Sequence, residues 1–313
     1  MNSSLSTNVI WKLLFVSISL LCFTPWVNPP IALFAGVVLS LVIGNPYSSQ
    51  VQNVSKYLLQ LAVVGLGFGV NLTSALAGGA PRLEFIIGSA VLTILLGLLV
   101  GKLLGIDKKI VLLLSSGTAI CGGSAIAAVS PVIEAKEHHI SVALGTVFVL
   151  NAIALFIFPF IGEYFNLSQI DFGLWAALAI HDTSSVVGAA QVYGEEALEI
   201  ATVTKLTRAL LIFPLVIIIS FFYKNGEKKT KIPWFIIGFI GAMLINTYVE
   251  QLAEINQQIA IVAKKALTLT LFLIGTGLTR ELLRNVGLRP MILGLLLWIV
   301  ISIGSLATIL YIY

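Results

Sequence analysis

Ser115–Ala128, SSGTAICGGSAIAA, and Ala179–Gly188, AIHDTSSVVG, each interrupt a long apolar run with small and polar residues. Backbone polar groups at membrane depth are tolerated only where protein buries them or a water-filled cavity receives them. Two related interruptions therefore point to one site built from two halves. Placing Cys121 over His181 aligns CGGSAIAAVSPVI with HDTSSVVGAAQVY, matching Ser124 to Ser184 and Val132 to Val192. The following HHISVAL then lies over LEIATVT, so a unit of broken segment plus helix occurs twice in succession. A weaker similarity sets GFGVNLTSAL, Gly67 to Leu76, against GTGLTREL, Gly275 to Leu282.

Composition agrees with this reading. Of 313 residues, 58% are hydrophobic and only 10% charged, which identifies an all-α polytopic membrane protein. Uninterrupted spans are predicted at Val9–Trp26, Pro30–Gly44, Tyr57–Gly78, Phe85–Leu104, His139–Ile161, Ala197–Phe222, Pro233–Val249, Ala260–Thr279 and Pro290–Tyr311. These are about nine spanning helices, joined by two interrupted segments at Lys109–Ala135 and Asp171–Tyr193. Residues 1–313 read as a single integral membrane domain, with scaffold helices at about 9–105 and 233–312 and core units at about 109–161 and 171–222. The first apolar run, flanked by Lys12, lacks a cleavage pattern and reads as a transmembrane helix rather than a signal peptide. Cys22 and Cys121 both lie in apolar runs without metal-ligand spacing, so no disulfide framework, metal or cofactor is expected. The net charge of +4 resides mostly in short loops, a membrane-topology pattern that argues against nucleic-acid binding.

The interrupted segments can be re-entrant hairpins or broken crossing helices. Lys224, Lys228, Lys229 and Lys231 mark their loop as cytoplasmic. Counting back with hairpins keeps Lys108, Lys109 and Lys136 inside and puts the loop Gly162–Ile170, which has no Lys or Arg, outside. Full crossings would export Lys136, so charge favours hairpins entering from opposite faces, an inverted-repeat arrangement. The N-terminus is then inside and the C-terminus outside.

Candidate site residues follow from the breaks. Cys121-Gly122-Gly123-Ser124 offers glycines for close approach and a serine able to cap a half-helix. His181-Asp182-Thr183-Ser184-Ser185 offers several caps before the next half-helix. Converging half-helix N-termini favour an anion, since their N–H groups and dipoles are both positive there; the alternative is a pair of turns capped by their own side chains. Asp182 can bind a coupling proton or sodium ion, pair with a cation, or cap the helix. His181 can carry a proton or sit neutral and hydrogen-bonded. Lys205 and Arg208, three apart on one helix, either bind the anion or balance Asp182. Asn151 can line the site or join helices; Asn71 and Thr279 are further lining candidates, while Gly65, Gly67 and Gly69 read as a close-packing face. His138 and His139 beside Glu134 and Glu137 read as an interfacial, solvated group.

CGGSAIAAVSPVIEAKEHHISVALGTVFVLNAIALFIFP, Cys121 to Pro159, together with HDTSSVVGAAQVYG, His181 to Gly194, resembles the YeiH-type family of proposed sulfate exporters. The resemblance implies a bacterial inner-membrane protein, remotely related to secondary transporters with inverted repeats and discontinuous helices, such as sodium/proton antiporters and bile acid symporters. In those relatives the discontinuous helices cross at mid-membrane, the rival to re-entrant hairpins.

The expectation is a secondary transporter of a small inorganic or organic anion, sulfate or another sulfur oxyanion being the family's proposal. It works by alternating access, with proton or sodium coupling through His181 or Asp182. Its partners are membrane lipid, the anion, a coupling proton or sodium ion and, in a homo-oligomer, further copies of the chain. An anion channel is the nearer alternative. An intramembrane enzyme using Cys121, Ser124 or His181 is the more distant one, and the expectation is that the protein is not an enzyme. No GxxxxGK[ST] motif for an ATP-driven pump occurs.

Overall fold

The computed structural model describes residues 2–43, 47–73, 83–223 and 234–312, and all regular structure among them is helical. Five stretches are long and apolar enough to cross a membrane: Glu84–Leu103, His138–Tyr164, Glu195–Phe222, Glu250–Gly277 and Leu288–Tyr311. Shorter apolar helices run over Trp11–Leu21, Pro29–Val42 and Ile237–Tyr248. The four lysines at 224, 228, 229 and 231, and Ser74–Leu76 of the weaker repeat, lie outside the described residues. The chain divides into two compact units, Met1–Thr73 with Trp234–Arg280, and Ser74–Pro233 with Glu281–Tyr313.

The first unit contains α1 (Asn2–Leu21), α2 (Pro29–Ile43) and α3 (Ser48–Gly67) from the N-terminal part. Its later part contributes α12 (Trp234–Tyr248) and α13 (Ala253–Gly277), joined by a 3-10 turn at Glu250–Leu252. Helix α13 packs against α2 and α3. Between α2 and α13 the backbones themselves touch: a Cβ on Gly36 would lie 3.1 Å from the Gly275 Cα. Such backbone approach is how membrane helices gain dispersion contact without a hydrophobic driving force. Gly65 and Gly69 face Ala263 and Ala260 of α13, and Gly67 faces Phe239 and Ala242 of α12, so the expected close-packing face is present. Helix α3 starts nine residues before the span predicted at Tyr57 and stops at Gly67, where Phe68–Val70 form a tight turn. Asn71 accepts the Thr73 backbone N–H at 3.0 Å, and Leu72 N–H is held by Thr247 at 2.9 Å.

The second unit is built around α7 (Glu137–Tyr164), whose 28 residues extend about 42 Å. Before it come α4 (Leu83–Leu103) and the half-helices α5 (Lys108–Ala119) and α6 (Gly123–Val129). After it come α8 (Gln169–Ala179), α9 (Thr183–Tyr193), α10 (Glu195–Ala209) and α11 (Ile212–Phe222). The unit closes with α14 (Arg280–Asn285), which begins at the division between units, and α15 (Leu288–Ile312). Helices α4 and α15, grouped by sequence with the scaffold, pack here instead: α4 against α5, and α15 against α5, α7 and α8. The span predicted as one helix over Ala197–Phe222 is divided at Leu210–Leu211. Pro214 lacks the N–H that would bond the Leu210 carbonyl, so the chain restarts with proline in the first turn of α11.

Both interrupted segments double back. Asp107 caps α5 by accepting the Lys109 N–H at 2.8 Å, and Lys109 Nζ donates to the Glu134 carbonyl, beyond the end of α6, at 2.8 Å. His139, in the first turn of α7, lies 3.6 Å from Asp107. Its Nδ1 accepts the Lys136 N–H at 3.1 Å, which leaves Nε2 to face the carboxylate. Within the segment, a Cβ on Gly117 would sit 3.0 Å from the Ile126 side chain, a contact that a straight broken helix does not allow. The second segment closes in the same way at the other end of α7. Gln169 accepts the Glu196 and Ala197 N–H groups at 3.0 and 3.3 Å, Tyr193 Oη donates to the Leu167 carbonyl at 2.7 Å, and Phe172 stacks on Tyr193 with centroids 3.8 Å apart. Gly162, near the C-terminal end of α7, fits against Phe172 and Tyr193. The segments are hairpins whose mouths lie at opposite ends of α7.

Candidate functional site

The tips of the two hairpins meet. Gly122 has φ +62°, a conformation L side chains rarely adopt, and a Cβ there would lie 3.3 Å from both Asp182 Cβ and the His181 carbonyl oxygen and 3.2 Å from Val147 Cγ1. Glycine is needed twice over at this position, for its left-handed backbone and for the close approach of the second tip. Cys121, beside it, is buried.

Asp182 is the N-cap of α9. Its Oδ1 accepts the Ser185 N–H at 2.5 Å and the Ser184 hydroxyl at 3.0 Å, and its Oδ2 accepts the Ser185 hydroxyl at 3.2 Å. Of the three roles open to it in sequence, helix capping is the one its contacts display: satisfying orphan N–H groups with a carboxylate at the positive end of the dipole. One residue earlier, the His181 N–H donates to Asn151 Oδ1 of α7 at 2.9 Å. Asn151 thus ties α7 to the second tip.

Lys205 and Arg208, both fully buried on α10, bind backbone carbonyls. Lys205 Nζ donates to Ala177 at 3.1 Å and Ile180 at 2.6 Å. Arg208 Nε donates to Ala119 at 2.7 Å and Nη2 to Thr118 at 3.4 Å, while Nη1 donates to Ala177 at 3.3 Å and to Leu178. These acceptors end α5 and α8, where four carbonyls per helix lack an intrahelical partner and the dipole is negative. One guanidinium fork therefore closes the C-termini of both first half-helices, a geometry a lysine point charge cannot reproduce.

Several deeply buried polar atoms near the breaks have no hydrogen-bond partner: both His181 ring nitrogens, Asn151 Nδ2, and the hydroxyls of Ser115, Ser116, Thr118 and Thr204. Leaving such groups unsatisfied costs about 1–3 kcal/mol each. Gly123 and Thr183 are half-buried and Ser124 is exposed, so the meeting point of the tips opens on that side. The structure thus brings Cys121, Gly122, Asn151, His181, Asp182, Ser184, Ser185, Lys205 and Arg208 into one cluster, with Gly123, Ser124 and Thr183 at its accessible edge. Asn71 and Thr279 belong to the first unit. Sequence reading missed Ser115, Ser116, Thr118 and Thr204. Three of them lie in the quoted polar stretch, and Thr204 stands next to Lys205. Among the described residues, no group of three or more His, Cys, Asp or Glu could hold a metal ion.

Comparison with known proteins agrees with the membrane architecture. The family described as Conserved hypothetical protein 698 matches residues 12–294. A UPF0324 membrane protein of Bacteroides thetaiotaomicron is 51% identical over 311 residues, covering 99% of this chain and 93% of that one. One from Porphyromonas gingivalis is 53% identical over 294 residues, covering 93% and 89%. Another, from Bdellovibrio bacteriovorus, is 47% identical over 315 residues, covering 99% and 97%. No solved structure matches. The chain belongs to the UPF0324 family of membrane proteins, the YeiH-type family its hairpin sequences resemble.

Proposed function

We propose that the protein is a secondary active transporter that moves a small anion across the bacterial inner membrane by alternating access, with the anion held where the hairpin tips meet. The observation that carries this reading is the charge at the tips. Among the described residues the fully or nearly buried side chains that carry a formal charge are Lys205, Arg208 and Asp182, so with all three ionised and His181 neutral one positive charge is left over. In a low-dielectric interior an uncompensated charge costs several kcal/mol, and a bound anion would offset it. The two cations act largely through their field, because carbonyls engage two of the three Lys205 donors and four of the five Arg208 donors; contact would fall to groups such as Asn151 Nδ2, Ser124 and Thr183.

The hairpin geometry supports transport rather than anchoring. Mouths at opposite ends of α7, with tips in contact, fit an inverted-repeat arrangement in which access from either side converges on one point. The mouth of the first hairpin carries Lys108, Lys109 and Lys136, with Arg289 beside Gly105. The second mouth carries Glu163, Asp171, Glu195 and Glu196 without Lys or Arg. By the positive-inside rule the first mouth is cytoplasmic, α15 then runs outward from Arg289, and the C-terminus is external. Sulfate or another sulfur oxyanion is the substrate class the family resemblance suggests, with a proton or sodium ion as coupling partner.

Purified protein screened for thermal stabilisation by sulfate, sulfite, nitrate, other small anions and sodium tests the reading. A rise in Tm with one or more anions is expected, by mass action on the folded state. Stabilisation by no anion, with a response to sodium or an organic cation, contradicts it.

A further inference from the structure

We infer that His181 carries the proton that accompanies the anion, and that a dianion brings one proton while a monoanion brings none. This deepens the transporter reading and rests on it. Asp182, the other ionisable group of the second tip, already accepts three hydrogen bonds from Ser184 and Ser185 as the cap of α9. Protonating it would weaken a cap that holds the tip in place. His181 is fully buried, and both ring nitrogens lack a partner while its backbone N–H is fixed by Asn151. One ring nitrogen is thus free to take a proton and the other to donate to a ligand.

The charge balance sets the stoichiometry. Counting the buried Lys205 and Arg208 as cations and Asp182 as a carboxylate, the cluster carries one net positive charge when His181 is neutral. A monoanion brings the cluster to neutrality without a proton. A dianion leaves one negative charge in excess, and a proton on His181 restores neutrality; without the dianion, that proton would add a third positive charge to the cluster. Proton and dianion therefore favour one another, and the coupling is reciprocal. The charged groups acting on His181 are Lys205 and Arg208 from α10; Asp182 follows it in the chain, and Cys121 precedes Gly122, which lies against the His181 carbonyl. Asn151 from α7 does not titrate. Glu199, six residues before Lys205 on α10, is half-buried.

Titration calorimetry of the purified full chain in buffers of different ionisation enthalpy reads the proton count directly. Sulfate, whose own protonation lies far below neutral pH, and nitrate serve as probes. Uptake of about one proton per sulfate and about none per nitrate is expected, with sulfate affinity falling about tenfold per pH unit over the range in which that proton is taken up. His181→Gln is expected to abolish the uptake with sulfate and leave nitrate binding in place, while Glu199→Gln keeps the sulfate uptake. Equal uptake with both anions, or uptake that persists in His181→Gln or vanishes in Glu199→Gln, overturns the inference while the anion reading stands. The wild-type comparison of two anions decides the stoichiometry even where His181→Gln does not fold. Binding of neither anion overturns the transporter reading and this inference together.

Discussion

Arg208 Nε donates to the Ala119 carbonyl at 2.7 Å while Nη1 of the same guanidinium donates to Leu178. One side chain therefore closes the ends of two half-helices from different hairpins, and the position of the tips depends on it. Arg208→Ala removes every donor and leaves several buried carbonyls unsatisfied, a loss of about 3–5 kcal/mol. Arg208→Lys retains the charge without the fork. A large fall in Tm in detergent is expected for the first and an intermediate one for the second. Equal Tm values for wild type and Arg208→Lys would show that the bridging geometry does not matter.

The capping role of Asp182 makes a separate prediction. Asp182→Asn keeps an oxygen that accepts the Ser185 N–H, and its stability should stay within about 1 kcal/mol of wild type. Asp182→Ala loses the cap and should cost about 0.5–2 kcal/mol, plus the unsatisfied hydroxyls of Ser184 and Ser185. Chemical or thermal unfolding checks the order. A loss in Asp182→Asn as great as in Asp182→Ala would mean that the charge, not the cap, stabilises the tip.

Gly122→Ala puts a side chain into a left-handed backbone position and against the second tip. The strain is of order 1–3 kcal/mol, and anion-induced stabilisation should fall with it. At Ser124, by contrast, the side chain is exposed, so Ser124→Ala should keep wild-type Tm. Its effect should be confined to anion affinity, read as the anion concentration needed for half-maximal stabilisation.

The hairpin topology is testable with single cysteines on a Cys22→Ser, Cys121→Ser background. Lys108→Cys and Lys136→Cys should react with a membrane-impermeant thiol reagent from the cytoplasmic side, and Asn166→Cys and Glu195→Cys from the opposite side. Reaction of Lys108→Cys and Lys136→Cys from different sides would mean that the first segment crosses the membrane.

The breaks are legible in sequence because polar residues in an apolar run have few physical explanations, and the doubling back of both segments is the alternative that the lysine count through Lys136 favours. The ends of the hairpins are less so. Lys109 bonds the Glu134 carbonyl and Lys205 the Ile180 carbonyl, and a backbone carbonyl leaves no mark in sequence. For the same reason the sequence leaves Lys205 and Arg208 open between anion binding and pairing with Asp182, whereas their contacts are helix C-termini. The division before α11 had a visible cause in Pro214, inside an apolar run that reads as continuous by hydropathy alone. The packing of α4 and α15 with the first hairpin and α7 depends on side-chain fits such as Gly97 against Ser115 and Gly294 against Thr146, which hydropathy cannot distinguish from lipid-facing surface.

Counterflow in proteoliposomes tests the central claim most directly. Vesicles loaded with unlabelled sulfate and diluted into a trace of labelled sulfate should accumulate label transiently above its external concentration. The initial rate should saturate with substrate, and Arg208→Ala should abolish the accumulation. Label that only equilibrates, without overshoot or saturation, would contradict a transporter and indicate a channel. No protein-dependent uptake of sulfate or of any other small anion would contradict the anion site itself.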